Sequence, residues 1–542
     1  MLLLALLSAL FLSIPFFRWG TGFFLMVGFV PLLFVEEEIA RRKSRRAKKD
    51  RKGSVIGYAL ITFGLFVILT TWWVYWATWT GIVASVIVNG GYMTLTFLVF
   101  HRVRRKLGDR LGYASFVFFW LAFEFLYLRA QINFPWIVLG NGFANDVMLI
   151  QWYEWTGALG GSLWALVMNI ALFKLVKAWL AKRSSGAKAA LAANRNRVSW
   201  VLGLLVLPMF FSLVRYLTYE EPDDPYEMVV LQPNIDPFEK FGAIPPEQQT
   251  EFLLHIADSL VTQNTDYIIG PETFINPPPA LWLSQITEHP EVLKLQAFLK
   301  DYPKAKLVIG ASTYKLYKEP SEFTSTSQPY RRGPDRYDYF NSALQLDASG
   351  EIPVYHKSML VTGVEKMPHK ELLSFLENLV VELGGTMRGN GTQEFRETFA
   401  SPQDGTRVAP VICWESVFGE YVSDYVSEAG ANFLFIITND GWWKNTPGHR
   451  QHNSYARLRA IETRRSVARS ANTGISSLID QRGVELARIG WWERSGLRGT
   501  LNKNDKITFY VKHGDYLGRI AVLVTLILLL YSLVFRFIKK SS

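Results

Sequence analysis

Apolar runs occupy both ends of the chain, and a section of mixed polarity lies between them. Seven runs precede residue 218 and one follows residue 519. A helix that crosses a bilayer needs about 20 predominantly apolar residues, and the first two runs are short by this measure. The pattern predicts an α-helical membrane bundle of eight transmembrane helices, seven and then one, at residues 2–17, 22–35, 55–76, 82–100, 113–128, 161–180, 200–217 and 520–537.

Basic residues concentrate in alternate loops between these runs. Residues 41–52 carry nine Lys or Arg, whereas residues 78–81 carry no charge. Cytoplasmic loops of membrane proteins hold the excess of positive charge. Both termini are therefore predicted in the cytoplasm, with residues 218–519 on the outer side. The same distribution accounts for the net charge of +11 and argues against a nucleic-acid partner.

Residues 218–519 alternate short apolar strands with amphipathic helices, which is typical of an α/β sandwich. This divides the chain into an N-terminal bundle (1–217), an outer domain (218–519) and a C-terminal helix with its tail (520–542). The predicted strands are 228–231, 267–269, 306–309, 342–346, 408–412, 433–438 and 476–479, and the predicted helices are 246–263, 291–299 and 450–464.

Three further segments have features that require an interpretation. Residues 320–339 are polar and predict a surface loop. Residues 366–391 place an apolar helical face before glycines, which fits either a hinged lid or a helix packed on its own domain. The apolar loop 129–159 fits either an aromatic belt or a segment that lines a lipid-facing cavity. Glu124 lies inside an apolar run, so it is either a functional group or a partner within the bundle.

The candidate chemistry begins with Cys413, the single cysteine of the chain, which ends a predicted strand and precedes Trp414 and Glu415. One cysteine excludes an internal disulfide, and a buried structural thiol is the alternative to a nucleophile. Glu272 and Lys357 also follow predicted strands, and α/β folds build their sites at strand ends. A thiol reacts as the thiolate and needs a base or a nearby cation. The glutamate and the lysine therefore complete a chemically sensible nucleophilic site.

These positions lie in motifs that resemble the nitrilase, or carbon–nitrogen hydrolase, superfamily, whose triad is Glu, Lys and Cys. The motifs are Gly-Pro-Glu272, Phe-Asn341-Ser-Ala, His-Lys357, Cys413-Trp-Glu415, Asn-Asp440-Gly-Trp and Arg459-Ala-Ile-Glu462. A nitrilase-like domain between seven spans and one span resembles the apolipoprotein N-acyltransferase family. The resemblance extends to Gln232-Pro-Asn-Ile, Phe134-Pro-Trp136 and Glu365. In two departures from the family pattern, Trp414 replaces a tyrosine and Phe241 replaces a tryptophan.

The resemblance implies an αββα sandwich that performs a two-step acyl transfer. Cys413 would take an acyl group from a phospholipid as a thioester, and the α-amino group of an S-diacylglyceryl-cysteine in an apolipoprotein would then accept it. Glu272 would act as base and then as acid, while Lys357 and the backbone N–H after Cys413 would stabilise the oxyanion. Other implied site residues are the supporting Glu365, Glu415, Trp414 and Asn341 and the substrate-binding Phe241, Trp136 and Trp442.

No metal or organic cofactor is implied by the resemblance. The expected protein is a monomer in the bacterial inner membrane, with its catalytic domain on the periplasmic side. A membrane-tethered amidase or nitrilase with the same triad, using water as the acceptor, is the first alternative. The second is a transporter or scaffold whose outer domain only binds a ligand, for which more charges inside the spans would be expected.

Overall fold

The computed structural model describes residues 1–44, 54–182, 192–367 and 389–541. Two units are distinguished, Met1–Thr218 with Asp515–Ser542, and Tyr219–Gly514. The first unit also contains the C-terminal helix Tyr516–Ser541. Its other helices are α1 (Leu2–Ser13), α2 (Leu25–Gly28), α3 (Val30–Ser44), α4 (Val55–Thr71), α5 (Val74–Ala77), α6 (Trp79–Leu128), α7 (Tyr153–Ala181) and α8 (Arg195–Thr218).

Four helices in the described part of the chain are long and apolar enough to cross a membrane, so the predicted count of eight is not confirmed. Residues 82–100 and 113–128 both fall within α6, whose range joins two helices across a break at Gly108, where φ is 79° and ψ is 179°. Helices α1 and α4 are apolar but shorter. The four candidates are Trp79–Leu128, Tyr153–Ala181, Arg195–Thr218 and Tyr516–Val534.

The irregular loop 129–159 packs within the first unit. It contains three short 3₁₀ helices, Pro135–Ile137, Leu139–Phe143 and Val147–Leu149. Glu124 on α6 supports this loop, because its Oε1 accepts hydrogen bonds from Trp120 Nε1 at 3.1 Å and from the Leu139 N–H at 2.9 Å. The structure therefore gives Glu124 partners within the bundle.

Two β-sheets form the centre of the second unit. Their strands are β1 (Pro225–Gln232), β2 (Tyr267–Ile269), β3 (Leu281–Trp282), β4 (Lys306–Tyr317), β5 (Gln328–Pro329), β6 (Arg336–Leu346), β7 (Val354–His356), β8 (Phe399–Ala400), β9 (Arg407–Ile412), β10 (Phe433–Thr438), β11 (Ser466–Ala471), β12 (Ser476–Ile479), β13 (Glu485–Ile489) and β14 (Ser495–Asn502). The first sheet has the order β14-β1-β2-β4-β6-β5, with β3 paired to β4 and β7 to β6, and the second has the order β13-β12-β11-β10-β9-β8.

Side chains from the two sheets meet in the interior. Tyr226 on β1 contacts Phe433 on β10 with ring centroids 5.3 Å apart, and Tyr267 on β2 contacts Phe435 at 5.2 Å. The helices of this unit are α9 (Pro237–Lys240), α10 (Pro246–Asp258), α11 (Pro290–Leu299), α12 (Gly419–Ser427), α13 (Pro447–Thr463) and α14 (Phe509–His513). Apolar residues of α10 and α11 share a buried core with the first sheet. The predicted α/β sandwich is confirmed.

Several predicted strands are confirmed residue for residue, namely β2, β10 and β12. The predicted surface loop 320–339 is wrong where two strands form within it. These are β5 at Gln328–Pro329 and the first four residues of β6, which begins at Arg336 and pairs with the extended β4 as far as Tyr317. Cross-strand pairing through tyrosines keeps this polar segment in the sheet, where its composition alone suggested a loop. The predicted amphipathic segment 366–391 falls mostly on residues 368–388, which lie outside the described residues.

Candidate active site

Cys413 lies where β9 turns into a short 3₁₀ helix, Cys413–Val417. Its backbone is in the left-handed region, with φ of 49°. That region costs a residue with a Cβ about 1–2 kcal/mol, and such conformations concentrate at functional sites. Two side chains hold the Cys413 carbonyl, because the Ser416 hydroxyl donates to it at 2.7 Å and His452 Nε2 lies 3.2 Å from it. The turn is therefore held at the carbonyl of the residue that carries the thiol.

A buried lysine lies between two carboxylates close to this strand end. Lys357 Nζ is 3.1 Å from Glu272 Oε1 and 3.0 Å from Glu365 Oε1. The Asn341 side-chain amide donates to the same two oxygens, at 2.8 and 3.2 Å, while the Asn341 backbone carbonyl accepts from the Lys357 N–H at 2.8 Å. Glu272 follows β2, Asn341 lies on β6 and Lys357 follows β7. The first sheet thus supplies the carboxylates, the ammonium and the amide of one hydrogen-bonded cluster.

The charges of this cluster and the Cys413 thiol act on each other. Burial alone would lower the pKa of Lys357, but Glu272 and Glu365 raise it well above its ordinary value, and Cys413 contributes in the same direction. Burial raises the pKa of the Cys413 thiol, the negative charge of Glu272 raises it further, and Lys357 opposes both. At neutral pH the resting site therefore pairs an ammonium with an uncharged thiol, and the thiol proton must be removed when it reacts.

Glu415 holds the backbone around both Cys413 and Lys357. Its carboxylate is fully buried and accepts from the Ile412 N–H at 2.9 Å and from the Ser358 N–H at 2.8 Å. The hydroxyls of three tyrosines also donate to it, Tyr421 at 2.6 Å, Tyr355 at 3.0 Å and Tyr425 at 3.4 Å. Ile412 precedes the thiol in the second sheet, and Ser358 follows the lysine of the first. Glu415 consequently connects the two halves of the site.

A second buried ionic network contacts the turn at Cys413. His452 Nδ1 is 2.9 Å from Asp440 Oδ1, and Arg469 Nη2 is 2.7 Å from Asp440 Oδ2. Burial alone would raise the pKa of Asp440, but Arg469 and His452 hold it well below its usual range. Through His452 Nε2 the network reaches the Cys413 carbonyl at 3.2 Å. Paired charges of this kind stay buried because each satisfies the other, and here they hold the turn at Cys413.

The chain is similar to known proteins over most of its length. The family model described as Carbon-nitrogen hydrolase matches residues 242–505, and the Apolipoprotein N-acyltransferase N-terminal domain matches residues 8–171. The Apolipoprotein N-acyltransferase of Chlorobaculum tepidum is 27% identical over 533 residues, 96% of this chain and 94% of that protein. The protein of the same name from Geobacter metallireducens is 26% identical over 525 residues, 95% of this chain and 91% of that protein. The chain belongs to the apolipoprotein N-acyltransferase family.

Among solved structures, a carbon–nitrogen hydrolase superfamily protein from Xanthomonas campestris is similar, with a TM-score of 0.35 and 16% identity over 51% of this chain and 90% of that chain. In this apolipoprotein N-acyltransferase family member, the N-terminal match falls within the first unit and the hydrolase match within the second. Each matched domain therefore corresponds to one structural unit.

The predicted substrate-binding aromatics lie in different places in this member of the apolipoprotein N-acyltransferase family. Phe241 is 49% exposed and stacks on Trp442 with ring centroids 6.3 Å apart, and Phe238 meets the same indole edge-on at 5.4 Å. Trp136 is fully buried in the first unit, 5.0 Å from Trp73. Trp414, the departure from the family's tyrosine, is buried beside Cys413 in the chain. Roles for these four predicted side chains in binding or support stay predictions.

Sequence reasoning missed three buried residues at the site, His452, Arg469 and Lys240. Arg469 lies on β11, a strand whose polar side chains hide the apolar pattern that reveals the others. The available signal for Arg469 was the Asn439-Asp440-Gly441 motif. Its carboxylate follows a buried strand and requires a basic partner there. Within the described residues, no group of three or more His, Cys, Asp and Glu side chains is placed to hold a metal ion.

Proposed function

We propose that the chain is an apolipoprotein N-acyltransferase that works through a thioester on Cys413. Both family matches and the curated relatives support lipoprotein N-acylation by an enzyme of the acyltransferase class. The observation that carries the mechanism is the buried cluster of Lys357, Glu272 and Glu365, whose charges act directly on the thiol of Cys413. It offers a nucleophile, a base and a cation in one place.

In the first half-reaction, Cys413 Sγ attacks the ester carbonyl carbon of a phospholipid while Glu272 takes the thiol proton. Both hydrogen bonds to Glu272 end on Oε1, so we assign proton transfer to Oε2. The Lys357 ammonium and the backbone N–H after Cys413 stabilise the oxyanion. The C–O ester bond then breaks, the lysophospholipid oxygen receives the proton from Glu272, and the acyl group remains on sulfur.

In the second half-reaction, the α-amino group of an S-diacylglyceryl-cysteine attacks the thioester carbon. Glu272 accepts a proton from that nitrogen, the C–S bond breaks, and the sulfur leaves as the thiolate beside Lys357. Return of the proton from Glu272 to Sγ restores the neutral thiol. A single base thus serves both steps in opposite directions, and the product is an amide-linked acyl chain on the lipoprotein.

The membrane arrangement in this proposal has eight spans, both termini in the cytoplasm and residues 218–519 on the periplasmic side of the bacterial inner membrane. The positive loops, such as residues 41–52, support that orientation. Both substrates are lipid-anchored, so a catalytic domain flanked by spans meets them at the membrane surface. A monomer is sufficient, since every side chain assigned a role comes from one chain.

Labelled phospholipid tests the acyl-enzyme step directly. Purified full-length protein in mixed micelles is incubated with phospholipid that carries a radioactive acyl chain, and the protein band is then treated with neutral hydroxylamine. Because Cys413 is the only cysteine, a hydroxylamine-sensitive label places the acyl group there. Wild type should carry the label and Cys413→Ala should not. An unlabelled wild type, or an equally labelled Cys413→Ala, would refute the mechanism.

The acceptor separates this proposal from a membrane-tethered amidase with the same triad. A synthetic diacylglyceryl-cysteine peptide with a free amino terminus should remove the label from the enzyme and appear as the N-acyl peptide. The same peptide with an acetylated amino terminus is the matched control and should leave the label in place. Release of free fatty acid at the same rate with either peptide would identify water as the acceptor and favour the hydrolase.

A further inference from the structure

Lys240, at the end of α9, is a buried lysine that the acyl-transfer mechanism does not use. It is 1% exposed. Its Nζ donates to the Glu272 carbonyl oxygen at 3.0 Å and to the Thr273 hydroxyl at 3.3 Å. Removing an ammonium from water is unfavourable unless its partners compensate. Burial lowers the pKa of Lys240 to about 7, while the charge of Glu272 opposes that change.

The loop that Lys240 holds is tightly constrained from the other side. Thr273 has a left-handed backbone, with φ of 45°, which costs a residue with a Cβ about 1–2 kcal/mol. Gly310 on β4 lies directly against this loop, and a Cβ there would be 2.6 Å from the Glu272 Cα and 2.4 Å from the Thr273 nitrogen. The Gly310 N–H donates to the Pro271 carbonyl at 3.0 Å. The backbone of Glu272 is therefore enclosed between Gly310 and Lys240.

The other surroundings of Lys240 connect it with the exposed aromatic residues. Its Nζ lies 5.3 Å from the Phe241 ring centroid, and Phe241 stacks on Trp442. The Lys240 carbonyl accepts from Gln249 Nε2 at 2.8 Å, which fixes the end of α9. One side chain thus joins a partly exposed aromatic surface to the backbone of the buried carboxylate.

We propose that Lys240 is a positioning residue for Glu272, holding the backbone turn that aims this carboxylate at the Cys413 thiol. The proposal rests on the function assigned above, with Glu272 as the base. The other titratable groups whose charges act in this cluster are Lys357, Glu365, Cys413 and Tyr339.

Three substitutions separate the hydrogen bonds of Lys240 from its charge. Lys240→Met keeps the length and removes both, Lys240→Gln keeps a donor without charge, and Lys240→Arg keeps both. Lys300→Met, at an exposed lysine, is the matched control. The measurements are the single-turnover rate of thioester formation from pH 5 to 9 and the thermal melting of the full-length protein.

Lys240→Met should lower the rate of thioester formation about 100-fold, since a general base contributes about 10²–10⁴-fold when correctly placed. Lys240→Gln should recover part of the rate, because it keeps a donor for the Glu272 carbonyl. Lys240→Arg should retain most of the wild-type rate, and Lys300→Met should match wild type throughout.

The inference is overturned if Lys240→Met and Lys240→Gln both acylate at the wild-type rate. It is also overturned if their rate losses only follow the fraction of unfolded protein in each preparation. A wild-type enzyme that forms no thioester would instead refute the proposed function.

Discussion

Glu415→Gln tests whether one buried carboxylate holds the two halves of the site together. The substitution preserves shape but replaces one oxygen with an NH₂ group, which is a donor. Glu415 Oε1 accepts from the Ser358 N–H and two tyrosine hydroxyls, and Oε2 accepts from the Ile412 N–H. Whichever way the amide turns, at least one buried backbone N–H would face a donor.

The expected loss follows from these contacts. An unpaired buried donor costs about 1–3 kcal/mol, and a hydrogen bond to a charged group is worth about 1 kcal/mol more than a neutral one. One unpaired N–H and two or three weakened bonds give a loss of about 3–5 kcal/mol. That is a large part of a total stability of about 5–15 kcal/mol. The melting temperature should fall by roughly 10 °C.

Activity should fall as well, because Glu415 fixes the residues beside both reacting groups. A misplacement of about 1 Å can reduce a rate about 100-fold, and we expect that reduction in single-turnover thioester formation. The exposed Glu397→Gln is the matched control. Tyr421→Phe removes one hydrogen bond to Glu415 and one to the Tyr355 hydroxyl. Its loss should lie between those of Glu415→Gln and the control, at about 1–2 kcal/mol. A Glu415→Gln enzyme that melts and acylates like wild type would refute the assignment of Glu415 as the connecting group.

Three other substitutions give distinct outcomes. Glu272→Gln should abolish turnover. It should also move the midpoint of Cys413 alkylation by iodoacetamide to lower pH, because the Glu272 charge raises the pKa of this thiol. An unchanged or higher midpoint would contradict this effect of Glu272 on the thiol. Gly310→Ala should reduce thioester formation at least 10-fold, since the new methyl group would lie 2.6 Å from the Glu272 Cα, and wild-type rates would contradict this close approach. Asp440→Asn should lower the unfolding free energy by about 3–5 kcal/mol at pH 7. The difference should shrink as the pH falls below about 4, because the pKa of Asp440 is lower in the folded chain than in the unfolded chain and protonation removes this stabilisation. An equal loss at pH 3 and pH 7 would contradict the ion pairing.

The parts of the site that could be predicted share one property, which is that each follows a strand. Glu272 and Cys413 come after runs of buried residues, so the strand pattern reveals both the strand and its end. Lys357 follows a short strand in which only Tyr355 is buried, so its motif marks it more clearly than its strand does. The first sheet and the second each contribute to the site in this way. Motif resemblance then selected these three residues from the other polar residues at strand ends.

The missed residues are recognisable only in the folded chain. Arg469 and Lys240 are charged side chains that become buried only because a particular partner, Asp440 or the Glu272 backbone, meets them in the folded chain. Charged residues are otherwise found at the surface, so a local pattern assigns them there.

The proposed nucleophile lies at the end of a strand in one sheet, and the proposed base and cation follow strands of the other. The distance between Cys413 and Lys357 is set by the packing of the sheets, because β9 and β7 belong to different sheets. Groups that form hydrogen bonds between the sheets should therefore affect the reaction without touching a substrate. Glu415 crosses beside the thiol, while the Ser470 hydroxyl crosses by donating to the Leu231 carbonyl at 2.7 Å. Loss of a crossing group should reduce acylation more than loss of an equally stabilising group within one sheet, because only the first changes the spacing of the reacting atoms.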